Sequence, residues 1–91
     1  MNKQLVQDII KIGNKAIDTM SVKYAINTKD DCYYSYDGLY YDDNHVEFTD
    51  DFADDITLAY KDIISITLSN IWYEWNDADK RVLRKAWWQS G

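Results

Sequence analysis

The side chains with the clearest chemical potential are carboxylates gathered in residues 30–55, which we call the acidic segment. It holds ten of the 16 acidic residues, nine of them Asp, and it contains no Lys or Arg. Aromatic side chains lie among these acids: Tyr33, Tyr34, Tyr36, Tyr40, Tyr41 and Phe48. A run of charge by itself serves solubility, but fixed charges beside tyrosines are typical of protein–protein hot spots. The acidic segment is therefore the first candidate for a binding surface.

Catalytic chemistry has little support in the sequence. A nucleophilic site needs a base beside the nucleophile, and the only Cys and the only His, Cys32 and His45, fall in neighbouring predicted strands. A lone Cys and a lone His are more often structural than catalytic. The three glycines are isolated, at positions 13, 38 and 91, so no Gly-rich phosphate loop exists. The sequence predicts a protein that is not an enzyme and uses no cofactor.

Calcium is the metal that so many Asp residues suggest. An EF-hand frame begins at Asp42 with Asn44 at its third position, but Val46 replaces the fifth ligand and Glu47 the obligatory Gly. Zinc is poorly served by one Cys and one His. No regular metal site is therefore predicted, and an irregular, weak cation site is the alternative left open.

Length and composition limit the class of protein. Ninety-one residues, 46% hydrophobic and 15% aromatic, predict one folded domain over 1–91 rather than a disordered acidic tail. The net charge of −6 argues against general binding to DNA or to anionic membranes. Asp8 and Lys11 interrupt the apolar N-terminal stretch, so neither a membrane span nor a leader segment is expected. The lone Cys32 fits a reducing compartment and a cytoplasmic location.

Two amphipathic patterns predict helices at the two ends of the chain. Apolar residues at helical spacing over 2–20 predict the first, with Gly13 as its weakest position. Asn76 predicts the start of the second, because Asn is a favoured N-cap and two acids follow in the first turn. Four bases crowd near the C-terminus: Lys80, Arg81, Arg84 and Lys85. The first three cluster with Trp88 on one side of the second helix, opposite its apolar side.

Between the helices, alternation and β-branched residues predict an antiparallel sheet of four or five strands, which makes the fold class α+β. Asp37-Gly38 lies between two aromatic runs and predicts a type I′ hairpin turn. A second reversal is predicted at 42–44, and residues 50–55 are expected to form an acidic loop or a single helical turn. The predicted strands cover 22–27, 33–36, 39–41, 45–49 and, as a pair around a turn near Lys61-Asp62, 56–69.

Four tryptophans follow the predicted strands. Trp72 and Trp75 are expected to close the core beside the last helix. Trp87 and Trp88, close to two arginines, predict packing or self-association through the C-terminal helix. The chain thus has a negative pole in the acidic segment and a smaller positive pole near its C-terminus.

The basic grooves of nucleic-acid enzymes are complementary to the acidic segment. Such enzymes hold DNA largely through phosphate neutralisation, so a folded surface of carboxylates can replace the duplex without any reaction. We expect the carboxylates to supply the electrostatic contact and the tyrosines to anchor it. The predicted partner-binding residues are Asp37, Asp42, Asp43, Glu47, Asp50, Asp51, Asp54, Asp55, Tyr36, Tyr40 and Tyr41.

The length of 91 residues, the net charge of −6 and the Asp/Tyr-rich acidic segment resemble the small acidic inhibitors carried by phages and mobile elements. That group includes anti-CRISPR proteins, DNA-mimic anti-restriction proteins and, more distantly, nuclease immunity proteins. The resemblance is one of composition over the whole chain. It implies a partner that is a basic nucleic-acid-processing protein in the host-cell cytoplasm, such as a Cas nuclease or a restriction enzyme. It implies no direct contact with nucleic acid or membrane.

Two other functions fit parts of the sequence. The run 56–63, Ile-Thr-Leu-Ala-Tyr-Lys-Asp-Ile, resembles the paired strands of small bacterial PH-like domains and would suit a protein-interaction adaptor. The terminal aromatic residues would suit a homo-oligomeric structural protein held through the C-terminal helix. Salt dependence of binding distinguishes a DNA mimic from an adaptor, and the mass of the free protein identifies an oligomer.

Overall fold

In the part of the chain that the structure describes, a helix lies at each end and six strands lie between them. The computed structural model describes residues 1–17, 23–69 and 75–90. Its elements in chain order are α1 (Lys3–Ile17), β1 (Lys23–Asn27), β2 (Cys32–Ser35), β3 (Tyr40–Tyr41), β4 (His45–Thr49), β5 (Asp55–Ala59), β6 (Ser65–Ser69) and α2 (Asp77–Ser90), with a 3₁₀ turn at Tyr60–Asp62. The predicted α+β class and both terminal helices are confirmed.

Helix α1 forms where an N-cap and an apolar stripe coincide. The Leu5 amide donates to Asn2 Oδ1 at 3.0 Å, which satisfies one of the free amides of the first turn. The buried face of the helix carries Leu5, Val6, Ile9, Ile10, Ile12, Gly13 and Ala16. The helix predicted over 2–20 is confirmed over Lys3–Ile17, and residues 18–22 lie outside the described part of the chain.

The strands form two three-stranded antiparallel sheets, where the sequence predicts one sheet of four or five strands. The first sheet has the order β2-β1-β6 and the second the order β3-β4-β5. The strand β1 is central in the first sheet, pairing Ile26 with Tyr33 of β2 and with Ile66 of β6. The chain crosses between the sheets at residues 36–39, the first crossover, and again at 60–64, the second crossover. Because of these two crossovers, the strands that the alternation pattern predicts for one sheet are divided between two.

The first crossover contains Asp37-Gly38, and the hairpin predicted there is wrong. Strand β2 pairs with β1, whereas β3 pairs with β4 in the other sheet. Gly38 does not have the positive φ that a type I′ turn requires. Ser35, at the end of β2, is fully buried, and its hydroxyl donates to the Asp37 carbonyl at 3.0 Å. These local bonds turn the chain out of the first sheet.

The second crossover replaces the hairpin turn predicted near Lys61-Asp62. Both strands that flank it are present, but β5 pairs with β4 and β6 pairs with β1. Tyr60 at the start of this crossover is buried. Its hydroxyl accepts a hydrogen bond from Gln7 Nε2 at 3.1 Å and donates to the Asp42 carbonyl at 2.5 Å. One side chain therefore ties the crossover to α1 and to the β3–β4 turn.

A single core joins α1, both sheets and the two crossovers. Its buried members are Leu5, Val6, Ile9, Ile10, Tyr24, Ile26, Leu39, Val46, Phe48, Tyr60, Ile63 and Ile66. Leu39 belongs to the first crossover and Ile63 to the second, and both are almost fully buried. Burying such a side chain stabilises the fold by roughly 1.5–3 kcal/mol. Apolar packing therefore holds together two sheets that share no strand pair among the described residues.

Helix α2 begins at the predicted cap, where the Asp79 amide donates to Asn76 Oδ1 at 2.8 Å. The helix packs against β6 and α1, and Val82 and Leu83 contact the core. Lys15 Nζ lies 3.4 Å from a carboxylate oxygen of Asp79, whose side chain is only 11% exposed. The shielded ion pair links the two helices more firmly than a fully exposed pair would.

Tyr24 of β1 crosses α1 at Gly13. The ring is fully buried, and a Cβ on residue 13 would lie 2.7 Å from its Cε1 and closer still to Cζ and the hydroxyl oxygen. Glycine is therefore needed here so that helix and strand can approach closely. Burial raises the pKa of the Tyr24 hydroxyl well above its ordinary value, because a phenolate would lose its hydration there.

Asn14 connects the same helix to the first crossover. Its Nδ2 donates to the Leu39 carbonyl at 2.8 Å, and its Oδ1 accepts from the Leu39 amide at 3.0 Å. The Tyr24 hydroxyl lies 2.8 Å from Asn14 Oδ1 and 3.0 Å from the Ile10 carbonyl, so its one proton is shared between them. The Asn14 amide thus pairs with Leu39 as a neighbouring strand would, and gives the buried crossover its backbone partners.

We predict that Gly13→Ala destabilises the protein by about 1–3 kcal/mol, because the new methyl group must displace the Tyr24 ring. Helix propensity alone predicts the opposite sign, a gain of about 1 kcal/mol. Urea unfolding followed by circular dichroism measures the free energy of unfolding. Lys11→Ala, on the exposed side of α1, is the matched control and should change stability little. A Gly13→Ala protein as stable as the parent would contradict this packing.

Candidate partner-binding surface

The outer face of the second sheet displays polar and acidic side chains in alternation. In β4, Val46 and Phe48 are buried in the core, so the residues beside them point outward. Glu47 is exposed and lies between Tyr40 of β3 and Thr57 of β5 in one cross-strand row. This row places a carboxylate beside an exposed aromatic ring at the middle of the sheet.

An open groove of about 630 Å³ runs along this face, and we call it the acidic groove. Three carboxylates line it, from Asp37 of the first crossover, Glu47 of β4 and Asp55 of β5, together with Tyr40. Thr49 Oγ1 donates to Asp55 Oδ1 at 3.2 Å, which orients that carboxylate. The structure therefore brings together four of the predicted partner-binding residues, from the first crossover and from β3, β4 and β5.

Asp42 and Asp43 lie in the β3–β4 turn, which forms where the sequence predicts a reversal. Asp42 Oδ1 accepts hydrogen bonds from the amides of Asn44 and His45, both at 2.7 Å. These bonds hold the pKa of Asp42 below its ordinary range, and the bond from the Asn44 amide has the largest effect. The Asp43 carboxylate lies 3.9 Å from Lys3 Nζ. Asp42 therefore builds the turn as well as adding charge, whereas Asp43 forms only a long, exposed ion pair of little energy.

Residues 50–54 form a tight hairpin turn at the other end of β4. Of the two structures expected here, the acidic loop is present and the single helical turn is not. The Asp50 amide donates to the Asp54 carbonyl at 2.9 Å, and the Ala53 amide to the Asp50 carbonyl at 3.1 Å. Asp50 Oδ1 also accepts from the amides of Phe52 and Asp54. Ala53 has φ 64°, in the left-handed region where this class of hairpin usually carries Gly. Asp50 thus holds the turn that presents its neighbours.

The aromatic side chains of the acidic segment divide between core and surface. Tyr36 is 61% exposed and Tyr40 74% exposed, so both are accessible to a partner. Tyr41, also predicted as an anchor, is half-buried and packs against the core. Phe52 was not predicted, yet it is 80% exposed at the tip of the β4–β5 turn. The only signal for Phe52 in the sequence is its position between acidic residues on both sides.

The environment of Tyr33 shows that the negative charges of separate turns act together. Partial desolvation is the largest cause that raises the pKa of Tyr33, and the charges of Asp31, Asp50 and Asp30 act in the same direction. The Tyr33 ring packs edge-on against Phe48, with centroids 5.9 Å apart. Acidic residues of the β1–β2 turn and of the β4–β5 turn therefore both disfavour a negative charge on Tyr33.

Four of the predicted carboxylates are available to a partner. Within residues 1–17, 23–69 and 75–85, the side chains of Asp37, Glu47, Asp51 and Asp54 make no hydrogen bond or ion pair. All four residues are exposed. Because their charge is not used inside the fold, it is available to attract a partner.

The single Cys and the single His do not meet. Cys32 is in β2 and His45 in β4, and these strands belong to different sheets, so the neighbouring strands predicted for them are not neighbours. His45 Nδ1 lies 3.8 Å from Asp42 Oδ1. In the part of the chain that the structure describes, no three His, Cys, Asp or Glu side chains are grouped to hold a metal ion. No described helix has the length and apolar character needed to cross a membrane.

The bases of α2 lie apart from the acidic groove. They are exposed, and they comprise Lys80, Arg81, Arg84 and Lys85. The helix packs against β6 and α1, neither of which belongs to the second sheet. The negative and positive poles are therefore carried by different elements. Trp75 is half-buried, whereas Trp72 and the side chains of Trp87 and Trp88 lie outside the described residues.

The fold and surface define an α+β protein whose most exposed chemistry is an acidic sheet face with aromatic side chains around it. Compared with known proteins, the chain matches no protein-family model, no curated protein and no solved structure. A function for the protein therefore rests on the chemistry of its own surface.

We predict that Asp42 stabilises the fold at neutral pH and that this contribution disappears in acid. A depressed pKa in the folded state gives stability that is present above the ordinary Asp value of about 3.9 and is lost as the pH falls toward the folded value. Asp42→Ala should therefore be less stable than the parent near neutral pH, with the difference narrowing below about pH 4. Urea unfolding across this range measures it, with Asp51→Ala as the control. Titration of the Asp42 carboxyl carbon by NMR at an ordinary pKa would contradict the prediction.

Proposed function

We propose that the protein is a non-enzymatic inhibitor that occupies the basic nucleic-acid-binding groove of a CRISPR nuclease or a similar nucleic-acid enzyme. It would block DNA binding by placing carboxylates at the positions where the enzyme binds the phosphates of DNA. The observation that carries the proposal is the acidic groove, with its unpaired Asp37 and Glu47 carboxylates beside the exposed Tyr40 ring.

The dimensions of the surface suit phosphate mimicry. Acidic turns lie at both ends of β4, which has five residues and so spans about 16 Å. B-DNA presents about nine phosphate charges over the same length of its axis. The eight carboxylates predicted to bind a partner are distributed along this length and around the groove, which is a comparable density of negative charge.

Exposed aromatic rings would add an apolar contact that the carboxylates cannot provide. Tyr36, Tyr40 and Phe52 are each more than half exposed, and aromatic side chains ringed by polar groups are the usual anchors of tight interfaces. Carboxylates would steer the encounter and set its orientation, while the rings would add contact area that excludes water. No bond in either protein needs to be made or broken.

We predict that binding to such an enzyme weakens steeply with salt and is displaced by DNA. The immobilised protein would be tested against a panel of purified Cas nucleases and restriction enzymes at about 50 mM and about 500 mM salt. Capture of a basic enzyme at low salt, lost at high salt and competed by that enzyme's own DNA, supports the mimic. Binding that ignores salt would instead indicate an adaptor, and a doubled mass of the free protein would indicate an oligomer.

A matched pair of variants distinguishes the effect of the groove carboxylates on binding from the effect of the total net charge. Asp37→Asn with Glu47→Gln removes two charges from the groove, and Asp8→Asn with Asp77→Asn removes two charges from the helices, outside the acidic segment. We expect the groove variant to bind about tenfold more weakly and the control variant to bind nearly as the parent does. Equal weakening by both would mean that total charge, and not the groove, attracts the enzyme.

Phe52 gives a second, independent prediction. Phe52→Ala should leave stability unchanged, because the ring is 80% exposed in the folded protein, but should weaken binding to the captured enzyme by about tenfold or more. Thr67→Ala is the control, since Thr67 is exposed on β6 of the first sheet, away from Phe52. Surface plasmon resonance gives both dissociation constants. Loss of binding in the Thr67 variant with none in the Phe52 variant would move the contact to another face.

A further inference from the structure

Among the residues that the structure describes, one edge of β5 has no strand beside it. Strand β5 is the last strand of the sheet β3-β4-β5, so only its other edge pairs with β4. The Asp50 amide donates to the Asp54 carbonyl across the turn, and hydrogen-bonded pairs recur at every second position of an antiparallel ladder. Counting by twos from the Asp50–Asp54 pair along the register of β4 with β5, the β5 residues that bond to β4 are Ile56 and Leu58.

The intervening residues Asp55, Thr57 and Ala59 therefore direct their amides and carbonyls away from β4. Among the described residues, no backbone group pairs with this outer edge. Such a row of donors and acceptors is a template for an added strand.

The strand β2 forms the other side of an opening along this edge. The turn that precedes β5 contacts β2, because the Asp51 amide donates to the Tyr34 carbonyl at 2.9 Å. Farther along they leave a cleft of about 510 Å³, which we call the seam. Tyr33, Leu58 and Ile64 give the seam an apolar part, and charged residues also line it: Lys29, Asp30, Asp31, Lys61 and Asp62. A strand laid on β5 would therefore have apolar side chains of this protein on one side.

The other side of such a strand would meet the acidic face. Side chains of an added strand alternate between the two faces of the sheet, and the outer face beside β5 carries Asp55, with Glu47 one strand farther in. A second copy of this chain would bring like charges together at Asp55 and Asp54. Charge complementarity therefore favours a basic partner over self-pairing.

We propose that β5 accepts an extended segment of a partner protein, alternately apolar and Lys/Arg, as a fourth strand of the second sheet. Its apolar side chains enter the seam and its cationic side chains lie beside Asp55 and Glu47. The pairing adds a second binding site to the acidic groove, and it does not depend on which enzyme the groove recognises.

A synthetic peptide tests the proposal without any nuclease, so its failure and the failure of the proposed function are distinguishable. The probe is a capped Lys-Val repeat of roughly eight residues, long enough to cover β5. We expect amide hydrogen exchange to slow at Asp55, Thr57 and Ala59, whereas Ile56 and Leu58 change little because they already bond to β4. A Glu-Val repeat of the same length should protect none of them.

Thr57→Pro should remove the binding of the Lys-Val peptide, with affinity about tenfold weaker or worse, because the outward amide is replaced by a ring. Thr57→Val keeps the amide and should bind as the parent does. If Thr57→Pro does not fold, peptides N-methylated on every Val or on every Lys give the same information, because one series must block the edge and the other must not. Equal binding of both series, equal binding of the Glu-Val peptide, or a dimer of the free protein abolished by Thr57→Pro would overturn the proposal.

Discussion

The close approach of α1 to Tyr24 is the contact on which the rest of the fold depends. A glycine at residue 13 lets a full tyrosine ring pass beneath the helix, and that ring brings its hydroxyl to Asn14 and to the Ile10 carbonyl. A larger residue would push β1 away from the helix. Since β1 is the central strand of the first sheet, its position sets the positions of β2 and β6.

The same helix also holds the two crossovers that divide the strands into two sheets. Asn14 pairs with both backbone groups of Leu39 in the first crossover, and Gln7 donates to Tyr60 in the second. Buried crossovers need such partners because their backbone groups have no strand beside them. Helical side chains here supply hydrogen bonds that a continuous sheet would have supplied, and this allows the second sheet to turn its outer face to solvent.

The acidic residues serve two physical purposes that their sequence pattern does not separate. Asp42 and Asp50 use carboxylate oxygens to close the turns at the two ends of β4. Glu47, between them, makes no such bond and lies in the acidic groove. The turn-forming acids thereby fix the surface on which the unpaired acids act. Some acidic residues of this cluster therefore stabilise the fold, and the others are left free of bonds within it.

The sequence by itself determined the features that depend on neighbouring residues. Helical periodicity and the Asn76 cap located the two helices, and alternation located the strand His45–Thr49 with its reversal at 42–44. Strand pairing depends on contacts between distant segments, so only the tertiary structure decided it. A local pattern at Asp37-Gly38 favours a hairpin, but bonds from Asn14, more than twenty residues away, take the chain to the other sheet. The exposure of Phe52 and the partial burial of Tyr41 were also decided by the tertiary structure, because the residues that cover a side chain are distant in the sequence.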